Sequence, residues 1–182
     1  MKVLIGMPAG DSIKAKTAFA LFQLAGPDVR LQMVMSCDVA DNRNKLAQYA
    51  VDNHFDFIFF LDGDVTFNGD ALEKMLKHDK DIVALAYNHR RLPLESVIRP
   101  LDGNINKPIP KELFEAASCG TGSMLIRTLV FRDIPKPWFD FSYENGERIG
   151  EDVNFCRKAR KAGYKIWVDT TIPVRHIGEY LF

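Results

Sequence analysis

The chain has 182 residues, which is enough for one domain with a full hydrophobic core and short for two. Hydrophobic residues make up 47% and charged residues 26% of it, as in folded globular proteins and unlike disordered chains. The chain has 24 Lys and Arg residues and 24 Asp and Glu residues. It therefore lacks the excess of positive charge that is typical of proteins that bind along a nucleic acid. We therefore expect residues 1–182 to form a single domain.

The N-terminus and the cysteines predict a cytoplasmic protein. Residues 1–6 enter a short apolar run that lacks the long apolar region and cleavage site of a signal peptide. The cysteines form no C-x-x-C pair and no metal-ligand spacing, which is typical of reduced thiols: Cys37, Cys119 and Cys156. No apolar stretch approaches the roughly 20 residues that cross a bilayer, so any membrane contact is expected to be peripheral.

The chain begins with alternating strand-like and helix-like segments. Residues 3–5 predict a buried strand closed by Pro8-Ala9-Gly10. Ser12 is placed to cap a helix over residues 13–25, and residues 31–35 predict a second strand.

The most apolar run of the chain comes next. After a polar segment, residues 36–42, a helix is predicted over residues 43–52. Residues 55–61 are almost continuously apolar at strand length, which indicates a central strand buried on both faces. Asp62-Gly63-Asp64 follows it directly.

The alternation continues to residue 87, lapses, and resumes after residue 118. The later predicted elements are a helix capped by Asn68 or Asp70, strands over residues 82–87, 124–126 and 165–168, and helices over residues 128–133 and 150–163. Residues 88–118 contain four prolines and predict a long irregular excursion, a kind of loop that is usually functional or mobile. This order predicts an α/β fold with a mostly parallel central sheet and helices on both faces. Ligands of such sheets bind beyond the carboxyl ends of the strands.

Two carboxylates stand at one of those strand ends. Asp62 and Asp64 are able to reach a hard divalent cation together, and Gly63 permits a sharp turn and the close approach of a ligand. The alternative is a plain polar turn, because Asp and Gly are common turn residues. Spacing alone leaves both interpretations open.

Other candidate groups are equally ambiguous. One of Glu151 and Asp152 could be a general base. Acids in the first turn of a helix also stabilise the helix dipole, and spacing alone favours this structural interpretation. His176 has no better claim from periodicity than the other three histidines. Arg43 and Arg91 could each bind a phosphate group through two hydrogen bonds. The alternative for Arg43 is a place on a solvated helix face, and the alternative for Arg91 is a charge on a surface loop. Serine hydrolases, P-loop enzymes and Rossmann dehydrogenases have no support in the sequence, because their sequence motifs do not occur.

Taken in order, these segments resemble glycosyltransferases of the GT-A fold, in particular the large family-2-like group. The matching segments are the Arg-Asn helix start at residues 43–44, the D-x-D segment at residues 59–65, the acceptor-site strand at residues 119–127, the G-E-D helix from Gly150, and the H-x-G at residues 176–178. Two segments depart from the family pattern. Residues 7–11 replace the usual Pro-Thr-Tyr-Asn, and residues 36–41 lack the usual paired acids.

The resemblance implies an inverting, metal-dependent transferase. Asp64 would bind Mn²⁺ or Mg²⁺ directly, His176 would be a second ligand, and Asp62 would bridge metal and ribose or act through water. Imidazole suits Mn²⁺ better than Mg²⁺. Asp152 would be the general base that takes the proton of the acceptor hydroxyl.

The resemblance also implies the substrates. The donor is expected to be a nucleotide sugar, most simply a UDP-sugar, and the acceptor an unidentified hydroxyl compound. The residues expected to contact the donor nucleotide are Pro8, Asp38, Arg43, Asp62 and Gly63. The residues expected at the acceptor or in the donor-covering loop are Arg91, Gly122 and Glu151, with residues 88–118 as a flexible cover.

Two alternatives stay open. One is a nucleotide-sugar-binding module without transfer activity, motivated by the departures at residues 7–11 and 36–41. The other is a sugar nucleotidyltransferase. That class usually has a Gly-rich phosphate loop with a basic residue after the first strand, and residues 8–11 with Lys14 and Lys16 match it poorly.

Overall fold

The computed structural model describes residues 1–178. Within that range the helices are α1 (Ala15–Gln23), α2 (Val39–Asp52), α3 (Ala71–Lys77), α4 (Val130–Asp133) and α5 (Glu151–Lys161). The strands are β1 (Val3–Ala9), β2 (Val29–Met35), β3 (Phe57–Leu61), β4 (Val65–Phe67), β5 (Ile82–Leu85), β6 (Leu113–Ala116), β7 (Ser123–Arg127), β8 (Ser142–Glu144), β9 (Glu147–Ile149), β10 (Ile166–Asp169) and β11 (Val174–His176).

A seven-stranded sheet forms the centre of this described range, in the order β2-β1-β3-β7-β5-β10-β6. β1 is parallel to β2 and β3, and β10 is parallel to β5. β7 runs antiparallel to both β3 and β5, and β6 runs antiparallel to β10 at the edge. Five of the seven strands therefore end at one side of the sheet, which we call the carboxyl edge.

Helices cover both faces of the sheet. All five residues of β3 are buried, and its side chains alternate between the two faces. Phe59 belongs to a cluster with apolar side chains of α1 and α3, whereas Phe60 belongs to a cluster with those of α2, α4 and α5. Phe60 meets Phe139 edge-on, with ring centroids 5.3 Å apart. Burial of each such side chain contributes about 1.5–3 kcal/mol to folding.

The predicted fold class is confirmed. The chain forms a Rossmann-like α/β domain with a mostly parallel central sheet and helices on both faces. The longest helix described, α2, has 14 residues, and none of the helices within residues 1–178 has the length and apolarity to cross a membrane.

The start of the second helix was predicted too late. α2 begins at Val39, inside the segment predicted to be polar coil, because Asp38 caps it. The Asp38 carboxylate accepts hydrogen bonds from the backbone N–H groups of Ala40 and Asp41, at 2.9 and 3.1 Å. The first turn of α2 is rich in polar residues, so the apolar periodicity of the sequence does not include it.

The predicted start of the first helix was also wrong. α1 begins at Ala15 after Lys14, so Ser12 is not its cap. The strand before it, β1, continues through Pro8 and Ala9 in register with β2, rather than being closed by them. Phe19 on α1 is 65% exposed and does not contribute to the core.

Five short strands escaped the sequence pattern. β6 lies inside the excursion predicted to be irregular, and β8 pairs with β9 as a hairpin. β4 pairs antiparallel with β11. Each has three or four residues, too few for a detectable alternation of apolar and polar positions.

Candidate functional site

The Asp62-Gly63-Asp64 turn lies at the carboxyl edge, between β3 and β4. It packs on the segment that follows β1, where the Lys14 backbone N–H donates to the Gly63 carbonyl at 2.8 Å. A Cβ at position 63 would lie 3.2 Å from Ile13 Cγ2, so the glycine permits this close approach. Together they line a cavity of about 550 Å³, here called the aspartate cavity: residues 8–12, Lys14, Val39, Asp62, Gly63, Asp64, Arg90 and His176.

Asp64 and His176 meet at this cavity from distant parts of the chain. The pairing of β11 with β4 places His176 opposite Val65, the residue after Asp64. His176 Nε2 lies 3.2 Å from Asp64 Oδ1, and His176 Nδ1 lies 3.0 Å from the Asn88 carbonyl oxygen. A carbonyl oxygen only accepts, so Nδ1 carries a hydrogen and Nε2 is directed to the carboxylate.

Each member of this pair shifts the pKa of the other. Burial by itself would raise the pKa of Asp64, but the hydrogen bond and charge of His176, with the charge of Arg90, outweigh burial and lower it. Burial opposes protonation of His176, yet the hydrogen bonds to Asp64 and to the Asn88 carbonyl raise its pKa. Both shifts favour an imidazolium beside a carboxylate.

Arg90 is a member of the site that sequence reasoning missed. Its Nη1 lies 2.6 Å from Asp64 Oδ2, so Asp64 carries a guanidinium on one oxygen and an imidazole on the other. Arg90 lies in a loop whose base is closed by backbone hydrogen bonds, from His89 to Glu95 and from Val97 to Tyr87. The sequence feature that could have identified Arg90 is its place in the basic run His89-Arg90-Arg91, in which only Arg91 was predicted to belong to the site.

The carboxylate of Asp62 pairs with a buried arginine. Arg43 Nη2 donates to Asp62 Oδ1 at 2.8 Å, and Arg43 Nη1 donates to Glu151 Oε1. Arg43 is only 3% exposed, so its interpretation as part of a solvated helix face is wrong. It also does not line the aspartate cavity, because its guanidinium reaches that cavity only through Asp62.

The buried charges are held by one another. Burial opposes the charge of Arg43, but the carboxylates of Asp62 and Glu151 outweigh it and raise the pKa of the guanidinium. Burial raises the pKa of Glu151 and exceeds the opposing effect of Arg43. Glu151 is 9% exposed, and its carboxylate is engaged by Arg43.

Gly122 packs directly behind Asp62. The Asp62 backbone N–H donates to the Gly122 carbonyl at 3.0 Å, and the Gly122 N–H donates to the Tyr87 hydroxyl at 3.0 Å. A Cβ at position 122 would overlap the Asp62 carboxylate and lie 2.5 Å from Tyr87 Oη. The structure thus places Gly122 as a support for Asp62.

Asp152 stands in the first turn of α5, next to Glu151. It is half-buried, and its Oδ1 accepts from the Val153 backbone N–H at 2.7 Å. Within residues 1–178, Asp152 forms no ion pair. Of the two acids predicted here, Asp152 is the one whose carboxylate is not engaged by an arginine.

The remaining predicted residues lie around the turn. Pro8 lines the aspartate cavity from the end of β1. Asp38 lines a neighbouring cavity of about 550 Å³ that also includes Val39, Arg148 and Glu151. Arg91 forms an ion pair with Glu95 and lies outside the aspartate cavity.

The ligand set for a metal ion is partial in this conformation. Within residues 1–178 no group of three or more His, Cys, Asp or Glu side chains is gathered as a metal site. Asp64 and His176 form a pair, and Asp62 is turned to Arg43. A carboxylate oxygen and an imidazole nitrogen 3.2 Å apart, with the far side of the ring anchored, nonetheless fit a divalent cation.

Comparison with solved structures shows the same fold in other proteins. The chain is similar to A197 from STIV, with a TM-score of 0.67 and 19% identity over 98% of this chain and 87% of A197. It is also similar to S. aureus TarS 1-349 in complex with UDP-GlcNAc, with a TM-score of 0.59 and 15% identity over 100% of this chain. No family model and no curated protein sequence matches the chain.

The match to TarS covers part of that protein. The chain spans 60% of TarS 1-349, and 37% of a longer TarS structure with which it has a TM-score of 0.57. At these identities the similarity shows the fold alone. Fold and site together define an α/β domain that shares its fold with these proteins and carries an acidic turn at the carboxyl edge of its sheet.

Proposed function

We propose that this protein is a metal-dependent, inverting glycosyltransferase that moves a sugar from a UDP-sugar to an acceptor hydroxyl. The observation that carries the proposal is the pairing of Asp64 with His176 at the carboxyl edge, beside a cavity of about 550 Å³. Ligands of open α/β sheets bind at this edge. The GT-A-type fold and the order of motifs along the chain support the same class.

Asp64 and His176 are the residues that would hold the cation. The Asn88 carbonyl orients His176 through Nδ1, which is the usual arrangement of a metal-ligating histidine. The imidazole favours Mn²⁺ over Mg²⁺. The cation, when bound, supplies positive charge that neutralises the diphosphate leaving group. Arg90 is the group that this cation would displace from Asp64.

Asp62 is assigned to the margin of the metal site. Its Oδ1 is engaged by Arg43, so a contact to the donor ribose, or to the metal through water, fits it better than direct ligation. Arg43 is reassigned from a nucleotide contact to a residue that positions Asp62, because both of its terminal nitrogens are already bound to carboxylates.

Asp152 is the proposed general base. Its neighbour Glu151 is buried against Arg43, which leaves Asp152 as the half-buried acid at the start of α5. Asp152 would take the proton of the acceptor hydroxyl as that oxygen forms a bond to the anomeric carbon. The bond between the anomeric carbon and the diphosphate oxygen breaks at the same time, and the nucleoside diphosphate leaves with the electron pair.

The donor is proposed to lie across the aspartate cavity. Pro8 and Gly63 present backbone and a small surface to it, and Asp38 caps α2 beside the adjoining cavity. TarS, which shares the fold, holds UDP-GlcNAc, and this favours a uridine nucleotide sugar as the first donor to examine.

Turnover of a panel of nucleotide sugars with Mn²⁺ tests the proposal. We expect slow hydrolysis of at least one donor in the absence of acceptor, and faster release of its diphosphate with a suitable acceptor. Asp64→Ala should remove turnover and metal dependence together. Asp152→Asn should lower kcat about 10²–10⁴-fold while KM for the donor changes little.

The matched control is Asp28→Ala, which removes an exposed carboxylate remote from the turn. Unchanged turnover in Asp64→Ala or Asp152→Asn would show that the roles are wrongly assigned. Loss of turnover in the control would show that the assay reports general damage to the fold.

The alternative function is nucleotide-sugar binding without transfer, motivated by the departures of residues 7–11 and 36–41 from the family pattern. This alternative predicts Mn²⁺-dependent binding of UDP in calorimetry, together with no release of diphosphate from any donor.

A further inference from the structure

Arg90 binds the carboxylate that is proposed to hold the cation. Its Nη1 lies 2.6 Å from Asp64 Oδ2, and His176 Nε2 lies 3.2 Å from the other oxygen, Oδ1. All three side chains line the aspartate cavity. A cation on Asp64 and His176 would therefore share its carboxylate with a guanidinium.

Two positive groups on one carboxylate oppose each other. A guanidinium and a divalent cation a few ångströms apart repel each other. The Asp64 side chain is only 18% exposed, so water screens this repulsion less than it does at the surface. In its position on Asp64, the Arg90 guanidinium therefore weakens the binding of a cation there.

The loop that carries Arg90 combines an anchored base with an exposed side chain. Backbone hydrogen bonds close the base of this loop, and the Asn88 carbonyl at that base orients His176. The Arg90 side chain is 51% exposed, and Asp64 is its one ion-pair partner within residues 1–178. Arg90 is thus able to leave Asp64 by turning its side chain, while His176 stays in place.

A nucleoside diphosphate offers the guanidinium another partner. The donor is proposed to lie across the aspartate cavity, and Arg90 lines that cavity. A guanidinium binds phosphate oxygens through two parallel hydrogen bonds. On the diphosphate, the charge of Arg90 would add to the neutralisation of the leaving group and would no longer compete for Asp64.

We propose that Arg90 competes with the cation for Asp64, and that the diphosphate of the nucleotide relieves this competition by binding the guanidinium. The inference rests on the proposed function, because it needs a cation on Asp64 and His176 with a nucleoside diphosphate beside it. It couples the two ligands: the nucleotide raises the affinity for the cation, and the cation raises the affinity for the nucleotide by the same factor.

Calorimetric titration of Mn²⁺, into protein alone and into protein saturated with UDP, tests the inference in the wild type and in Arg90→Gln. Glutamine removes the charge and keeps a polar side chain. We expect Arg90→Gln alone to bind Mn²⁺ about three- to tenfold more tightly than the wild type alone. With UDP present the two proteins should bind Mn²⁺ equally, so the gain in affinity that UDP provides shrinks by the same factor in the variant.

The control is Arg99→Gln, which removes an exposed arginine of the same loop. Arg99 does not line the aspartate cavity. We expect Arg99→Gln to bind Mn²⁺ as the wild type does in both titrations.

The outcomes separate this inference from the proposed function. If the wild type does not bind Mn²⁺ even with UDP present, the proposed function fails, and the inference fails with it. If the wild type binds both ligands but Arg90→Gln alone binds Mn²⁺ no more tightly, the inference is overturned and the proposed function is not. A gain in the variant that is equally large with UDP present would show that Arg90 stays on Asp64, and this also overturns the inference.

Discussion

Arg43 Nη2 lies 2.8 Å from Asp62 Oδ1, and the same guanidinium binds Glu151, so one buried cation joins the turn after β3 to the first turn of α5. Asp152 follows Glu151 in that helix turn. The proposed base is therefore held at a set place relative to the acidic turn through a chain of two ion pairs. Because Arg43 is buried, solvent screens these two pairs less than it screens pairs on the surface.

Substitution of Arg43 should destabilise the protein strongly. Arg43→Ala leaves two carboxylates, Asp62 and Glu151, without their buried partner, and we expect a loss of about 3–5 kcal/mol in the free energy of unfolding. Lys45→Ala on the same helix is the control, because Lys45 forms an exposed pair with Asp41 and should cost about 1 kcal/mol or less. Urea unfolding measures both. Equal losses in the two variants would contradict a structural role for the Arg43 network.

A methyl group at position 122 should disturb Asp62. Its Cβ would overlap the Asp62 carboxylate and lie 2.5 Å from Tyr87 Oη, so both side chains have to move. Gly122→Ala is expected to cost about 1–3 kcal/mol of stability and to weaken Mn²⁺-dependent UDP binding. Gly26→Ala is the matched control, since its nearest neighbour, Val29 Cγ2, would lie 3.8 Å away. UDP affinity equal to wild type in Gly122→Ala would show that Asp62 does not contribute to the site.

The buried carboxylate of Asp169 makes the stability of the protein depend on pH, and it lies outside the candidate site. Asp169, at the end of β10, accepts from the Thr171 N–H at 2.8 Å and from the Thr171 hydroxyl at 2.7 Å, and lies 2.8 Å from His78 Nε2. Burial alone would raise the pKa of Asp169, but these hydrogen bonds outweigh it and lower the pKa below the ordinary value of 3.8.

The sign of its effect follows from that direction. The stabilisation by Asp169 is complete above the pKa of the unfolded chain, about 3.8, and is lost as pH falls through the lower folded value. Asp169→Asn should therefore lower stability by about 1.5–3 kcal/mol at pH 7, with the difference from wild type shrinking below about pH 4. Thermal melts across this pH range measure it. A difference that stays constant down to pH 2 would contradict the assignment.

The sequence was sufficient for the fold class and for the position of the acidic turn. Residues 55–61 are apolar enough to identify a strand buried on both faces, and β3 is such a strand. It did not reveal that β7 runs antiparallel within the sheet, because a short buried strand has the same apolar pattern in either direction.

The contacts of the site required the folded chain. The basic run at residues 89–91 was visible, but only the loop geometry shows that Arg90, not Arg91, contacts Asp64. Likewise, a helix pattern does not reveal that Arg43 points inward, since an arginine is usually exposed. The meeting of Asp64 with His176 depends on the pairing of β4 with β11, which are three residues each.

Calorimetry of UDP binding, with and without Mn²⁺, tests the metal-dependent nucleotide site most directly. We predict binding in the presence of Mn²⁺, loss of about tenfold or more in affinity when the metal is chelated, and a similar loss in Asp64→Asn and in His176→Ala with Mn²⁺ present. The control Asp28→Ala should bind as the wild type does. UDP affinity that is the same with and without Mn²⁺, and the same in both variants, would contradict the account.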